Sequence, residues 1–261
     1  MSYVDAHIHL ADAGYEGKSD SILNDTTNRD VKFLLTNATD YNTSIETISI
    51  SQKHKNRVFA AIGVHPWTVV QDQQQPLDKF EDLINIHKAH VAAIGEIGLD
   101  GQYSQDPDKK VNQLRVFKAF LELAERKRLP VVVHSRLAVD ETLDILSSFN
   151  LTSVLMHWYS GSPEKLELLR DRGYFLSIGP SVAYTKRIVE IARRAHHSTI
   201  LTETDGPVKY HGPFENRRTE PSLVIDVVRK LSEIRSEEAE AVRETVLQNF
   251  LTFLRLNKPN T

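Results

Sequence analysis

Eight short runs of consecutive apolar, mostly β-branched residues punctuate the chain: Tyr3–Val4, Val31–Leu35, Val58–Ile62, Val91–Ile94, Val131–Val133, Ser153–Met156, Tyr174–Ile178 and Thr199–Leu201. The apolar positions are consecutive and do not alternate with polar ones, which is the pattern of parallel strands buried on both faces. Between the runs the period changes. Leu114, Phe117, Leu121 and Ala124 stand three or four residues apart and predict one face of a helix. Ser162-Pro163-Glu164 reads as an N-cap followed by proline at the first helical position, with Leu166 and Leu169 continuing the stripe. Ile45–His54, Leu77–Lys88, Val139–Phe149 and Thr185–Ala195 complete the alternation, and Ser222–Arg235 and Glu237–Leu254 predict two closing helices.

A strand and helix repeated eight times within 261 residues predicts a (β/α)8 TIM barrel, with residues 1–261 as one domain. An open doubly wound sheet has fewer strands and a glycine-rich phosphate turn after the first of them. Here Asp5-Ala6-His7-Ile8-His9-Leu10 takes that place, with no GxGxxG. Gln71–Pro76 reads as a short polar loop and Lys258–Thr261 as a frayed tail. No apolar run approaches the roughly 18–20 residues of a membrane span. The first ten residues carry Asp5, His7 and His9 where a signal peptide needs an apolar stretch. The expectation is a soluble cytoplasmic chain starting near Met1, a monomer or small homo-oligomer without a membrane partner.

Charge and composition narrow the chemistry. With 32 Lys+Arg against 35 Asp+Glu the net charge is −3, which excludes a broad electrostatic footprint on duplex DNA or an anionic membrane. There is no cysteine, hence no disulfide, no thiolate ligand and no thiol nucleophile. Eleven histidines are the excess that needs explaining.

Barrel enzymes carry their chemistry at the C-terminal ends of the strands, so the residues just beyond each apolar run are the ones to inspect. The first run leads to His7 and His9, the third to His65 and Trp67, the fourth to Glu96 and Asp100, the fifth to His134-Ser135-Arg136, the sixth to His157-Trp158-Tyr159, and the eighth to Glu203-Thr204-Asp205. His7 and His9 are two apart on an extended segment, so both leave the same face. Unpaired at one rim, His7, His9, Glu96, His134, His157 and Asp205 would be costly to bury, and a metal relieves that cost. Imidazole and carboxylate donors suit zinc or manganese and can hold magnesium. Six candidate ligands exceed the needs of one open site, so two divalent ions sharing a bridging carboxylate are expected, with Glu96 between Gly95 and Gly98 as the bridge. Of the other histidines, His54, His87, His90, His196 and His197 read as solvated, and His211 as a loop residue facing a substrate or solvent.

The motifs His7-Ile8-His9, Gly63-Val64-His65-Pro66, Gly95-Glu96-Ile97-Gly98-Leu99-Asp100, His134-Ser135-Arg136, His157 with Ser160-Gly161, and Glu203-Thr204-Asp205 occur in this order. Together they resemble the TatD family of metal-dependent hydrolases over essentially the whole length. The resemblance implies a barrel of the amidohydrolase type, two or sometimes three metal ions, and hydrolysis of nucleic-acid phosphodiesters, commonly as a deoxyribonuclease. It also implies His7, His9, Glu96, His134, His157 and Asp205 as the metal ligands. The chain departs from the family pattern at Trp67, Trp158, Tyr159, Thr219, Gly206 and Val208, all outside those ligands.

In the mechanism this suggests, ions acidify a water, Asp205 orients it and takes its proton, and Glu96 bridges the ions. His65 and Arg136 become candidates for a non-bridging phosphate oxygen, and Trp67, Trp158 and Tyr159 for base stacking. Lys186, Arg187, Lys209, Arg217 and Arg218 form a small cationic patch for one single-stranded DNA or strand end. The rival readings are a deacylase or lactonase using the same ions on a carbonyl, and a metal-binding protein without turnover.

Overall fold

All eight apolar runs form strands: β1 (Tyr3–Ile8), β2 (Val31–Asn37), β3 (Val58–Ile62), β4 (Val91–Gly98), β5 (Val131–His134), β6 (Val154–Met156), β7 (Phe175–Ile178) and β8 (Ile200–Thr202). They lie side by side in chain order, and each neighbouring pair from β1·β2 to β7·β8 is parallel. The computed structural model describes residues 2–71, 75–103 and 106–256. The expected polar loop at Gln71–Pro76 lies partly outside these residues, and the expected frayed tail Lys258–Thr261 wholly so.

A parallel neighbour is reached only by a crossover, and the crossovers are helical. They are α1 (Ser19–Asn28), α2 (Tyr41–Lys53), α3 (Pro66–Val70), α4 (Leu77–Ile86), α5 (Pro107–Lys127), α6 (Val139–Leu146), α7 (Leu166–Asp171) and α8 (Lys186–Arg194), with α9 (Val224–Arg235) and α10 (Ala239–Phe253) after the last strand. Among the described residues no helix is long and apolar enough to cross a membrane.

The strongest stripe builds the longest helix. Val116, Phe117, Phe120, Leu121 and Ala124 of α5 are buried and join Ile94, Val131 and Val133 in one core. Each such Val, Leu, Ile or Phe contributes roughly 1.5–3 kcal/mol by leaving water. Two helices escape the sequence pattern because their sequences hide the period: α1 carries only Ile22 and Leu23 among polar residues, and α3 is five residues long. At α7 the helix starts as a 3₁₀ turn, Pro163–Lys165, and the Ser162 side chain makes no cap bond. Its carbonyl instead accepts from Lys165 N and from the Tyr159 hydroxyl.

The barrel closes between β8 and β1 by bonds that run past the short end of β8. Asp205 N donates to His7 O and His9 N to Gly206 O, both at 2.8 Å, and Thr202 Oγ1 donates to Val4 O at 2.7 Å. Fully buried Asp5 completes the seam, its Oδ1 accepting from Thr204 N at 2.9 Å and its Oδ2 from Thr204 Oγ1 at 2.6 Å. That closure brings the first and last motifs of the sequence together.

Candidate metal centre

Alternation along β1 puts Asp5, His7 and His9 on one face, while Ile8 on the other packs with Ile22 and Leu23 of α1. The register of β1 against β2 slips between Asp5 and Ile8, and that of β4 against β5 between Ile94 and Ile97. Such irregularities re-aim side chains, and His7 and Glu96 sit inside them. Both residues therefore lie within strands, where the apolar pattern is broken by the chemistry it carries. Gly98 has φ +145°, and a Cβ there would stand 2.0 Å from His134 O; one on Gly95 would stand 2.7 Å from Val132 Cβ. Both glycines thus serve the close approach of β5.

The two oxygens of Glu96 face two separate sets of nitrogens. Oε2 lies 3.2 Å from His7 Nε2 and 3.3 Å from His9 Nε2, and these same nitrogens lie 3.3 and 3.2 Å from Asp205 Oδ1. Oε1 lies 2.8 Å from His134 Nδ1, 2.7 Å from His157 Nε2 and 3.2 Å from His65 Nε2. Within each set two ring nitrogens face one another at 3.1 Å, His7 with His9 and His134 with His157. Facing lone pairs need a shared proton or a cation. Glu96 Oε2, buried, has no hydrogen bond of acceptable geometry despite its near neighbours. This donor set, all nitrogen and oxygen and convergent, fits a divalent metal ion.

The far side of each ring tells which nitrogen offers a lone pair. His9 Nδ1 donates to Asn37 O at 2.9 Å, and His134 Nε2 donates to Asp100 Oδ2 at 2.8 Å. His157 Nδ1 points at Glu203 Oε2, 3.7 Å away. In the neutral rings of His9 and His134 the second nitrogen is then the acceptor, the arrangement of a metal-binding histidine, whereas His157 Nδ1 makes no hydrogen bond. His65 is reversed. Its Nδ1 accepts from Trp67 N at 3.1 Å at the start of α3, so in the neutral ring Nε2 carries the proton and acts as a donor.

Electrostatics couples the site to protons. Burial pulls the His9 imidazole down, but the carboxylates of Asp205 and Glu96, 3.2 and 3.3 Å from Nε2, overcome it and hold the ring up to about 10. Burial likewise opposes charge on His157, and the Glu96 carboxylate raises it well above the usual histidine range. Burial works to raise Glu96, yet the charges of His157, His65 and His7 hold it well below the usual carboxylate range. His65 goes the other way, pushed down to about 4 chiefly by burial. A metal ion bound at these nitrogens would have to displace the protons on His9 and His157. Affinity for a divalent ion is therefore expected to rise with pH between about 6 and 9, by about tenfold per unit for each proton displaced. Calorimetry in buffers of different ionisation enthalpy counts those protons; binding that is independent of pH and buffer would contradict the charge state described.

Above these groups opens a cavity of about 700 Å³, walled by Trp67, Tyr103, Arg136, Trp158, Pro207 and Val208. Of the residues expected to contact substrate, His65, Arg136 and Trp158 line it, as does Trp67. Arg136 is also paired with Asp100, at 2.8 Å, and lies over the Tyr103 ring. Trp158 leans on Tyr210, ring centroids 5.4 Å apart. Tyr159 does not contact the cavity. It is 0% exposed, packed in the core with its hydroxyl donating to Ser162 O, and burial pushes its phenol up to about 12. Adjacency to Trp158 suggests a stacking face, but in the turn after β6 Tyr159 packs into the core while Trp158 lines the cavity. Arg218 lies outside the lining, over the Tyr15 ring and donating to Gly14 O. Arg217 pairs with Asp226 and Arg187 with Gly161 O. Among the described residues Arg136 is thus the one Lys or Arg lining the cavity, and the expected cationic patch does not assemble there.

His211, His196 and His197 are exposed, whereas His54, His87 and His90 are half-buried. His54 faces Asp20 and His87 faces Gln52. Sequence reasoning passes over Asp5, which accepts from His7 N, Asp100, which accepts from His134 Nε2, and Glu203, whose Oε2 lies 3.7 Å from His157 Nδ1. The signal is present: Asp100 and Glu203 sit inside the two acidic motifs, and Asp5 shares the strand face of His7.

Known proteins resemble the chain throughout. Residues 4–255 match the family described as TatD related DNase. An uncharacterized metal-dependent hydrolase of Methanocaldococcus jannaschii is 28% identical over 255 residues, 98% of each chain. The deoxyribonuclease TATDN3 of Homo sapiens is 29% identical over 260 residues, 96% of this chain and 94% of its own. The crystal structure of YjjV, a TatD homologue from Escherichia coli, superposes with a TM-score of 0.89 at 25% identity, covering 98% of both chains. The family match, the barrel and the convergent His, Glu and Asp side chains lead to one conclusion: the chain belongs to the TatD family of metal-dependent hydrolases.

Proposed function

We propose that this protein is a two-metal deoxyribonuclease that hydrolyses phosphodiester bonds at single-stranded DNA or strand ends. The observation that carries this reading is the division of Glu96, whose Oε2 serves the His7, His9 and Asp205 set and whose Oε1 serves the His134 and His157 set. Bound in those sets, divalent ions would supply an acidified water and stabilise charge on the attacking and leaving oxygens.

The chain's own groups supply the rest. Asp205 opens onto the cavity and is the residue to orient the attacking water and accept its proton. A bond forms from that water to phosphorus while the bond to the leaving oxygen breaks, and the proton passes by way of Asp205 to the product alcohol. His65, a neutral donor through Nε2, and Arg136 would hold non-bridging oxygens. Trp67 and Trp158 offer faces to a terminal base.

Substrate size supports an end-directed activity. A cavity of about 700 Å³ is of small-molecule size and suits one terminal unit of a strand better than a duplex. A lining with Arg136 as its one Lys or Arg among the described residues is also poor in the phosphate contacts that tight duplex binding requires. The deoxyribonuclease name of the human relative agrees with this assignment.

Labelled linear and circular single-stranded DNA, linear RNA and a nitrophenyl ester, each with and without Mn²⁺, provide the test. Metal-dependent release of mononucleotides from linear DNA, with circles resistant, is expected. Equal cleavage of circles would remove the end preference, and hydrolysis of the ester with all nucleic acids intact would replace the nuclease by a deacylase.

A further inference from the structure

Asp100 is completely buried just beyond β4, and no step of the proposed hydrolysis uses it. Its Oδ1 accepts from Gln102 N at 2.9 Å. Its Oδ2 accepts from His134 Nε2 at 2.8 Å and from Arg136 Nε at 2.9 Å, and Arg136 Nη2 lies 2.8 Å from the same oxygen. The backbone beneath it is fixed as well. Asp100 N donates to Gln113 Oε1 at 2.9 Å, and Gln113 Nε2, buried on α5, donates back to Asp100 O at 3.4 Å.

An ionised carboxylate only accepts, so the hydrogen between Asp100 and His134 belongs to Nε2. Nδ1, which faces Glu96 Oε1 at 2.8 Å, is then the nitrogen that must give up its proton to offer a lone pair to an ion. We propose that Asp100 is a positioning residue of the metal centre, holding His134 in the Nε2–H tautomer with Nδ1 presented to an ion, while the same oxygen holds Arg136 at the cavity wall. The proposal rests on the two-ion reading, with Asp100 acting on the ion beside Glu96 Oε1. Retention of that ion and anchoring of an anionic substrate then depend on one oxygen atom.

Asparagine is the informative replacement because it keeps the shape and cannot serve both sides. With Nδ2 toward His134 it donates and drives the ring proton to Nδ1. With the amide turned over, Nδ2 meets the Gln102 N–H. Arg136→Gln separates the two roles, since it leaves the bond to His134 in place.

Three readouts test the proposal. Equilibrium dialysis against Zn²⁺ should show Asp100→Asn binding one of two ions about 10–100-fold more weakly, with the other ion unchanged. Nitrogen-15 spectra of the zinc-loaded wild-type protein should show His134 protonated at Nε2. Arg136→Gln should keep both zinc affinities and raise KM for whichever substrate is hydrolysed. A wild-type His134 protonated at Nδ1, or wild-type zinc affinities in Asp100→Asn, would overturn the proposal; so would loss of zinc in Arg136→Gln. Should the wild type bind a single ion, the two-ion reading fails, while the tautomer measurement, which needs no turnover and no folded variant, still decides for or against Asp100.

Discussion

Replacing Glu96 by glutamine is expected to lower kcat by about three to four orders of magnitude, roughly 4–5.5 kcal/mol of transition-state stabilisation. Few substitutions alter so little shape and so much charge. Glutamine has the volume of glutamate but one oxygen in place of two, and the amide nitrogen repels a cation. Because Oε1 and Oε2 face different ligand sets, either orientation of the amide spoils one of them. The fold should survive, since the change removes a buried carboxylate that depends on neighbouring imidazolium charge. Metal analysis alongside kinetics checks the cause. A fall in bound metal with a single cooperative melting transition retained is expected. Activity within tenfold of wild type would show that the bridging carboxylate is not needed.

Asp5→Ala is expected to destabilise the protein by about 2–4 kcal/mol and to weaken metal binding although Asp5 touches no ligand atom. Its carboxylate accepts from Thr204 N, Thr204 Oγ1 and His7 N, at 2.9, 2.6 and 3.3 Å. Alanine would leave these buried donors unpaired, each costing about 1–3 kcal/mol. The relief of desolvating a carboxylate offsets part of that, because burial already raises Asp5 well above the usual carboxylate range. Thr204 adjoins Asp205, and His7 lies two residues after Asp5, so loosening this clasp separates ligands from opposite ends of the chain. Asp5→Asn provides the contrast. Its amide oxygen still accepts from Thr204 N, its amide nitrogen can donate to the rotatable Thr204 hydroxyl, and stability within about 1 kcal/mol of wild type is expected. Urea titrations of the three proteins, read with metal content, distinguish a clasp from a merely buried polar group. Equal stability of alanine and wild type would remove the clasp.

Much of this protein is legible in one dimension. Val131-Val132-Val133 can hardly be other than a strand covered on both faces, and the alternation of such runs with stripes like Leu114, Phe117 and Leu121 leads to a barrel with its chemistry at one end. The six candidate ligands are legible for the same reason. Each interrupts or succeeds an apolar run, and the strand order carries all of them to one rim. Tyr159 misleads because its type suits both a core and a stacking platform, and only its packing separates the two. Arg218 misleads because proximity of a loop to a strand end says nothing about which way a long side chain turns.

Local sequence thus determined the elements, their order and the candidate metal-binding groups, since hydrophobic period and residue chemistry act over a few neighbours. Tertiary structure alone decided how those groups divide. Glu96 meets nitrogens on β1 and β5 and on the residues that follow β3 and β6 within one carboxylate's reach, His65 is turned into a donor by the N–H that opens α3, and Asp100 meets a histidine 34 residues away. Those contacts depend on barrel closure, strand register and ring orientation, which arise from packing of the whole chain and leave no periodic trace in it.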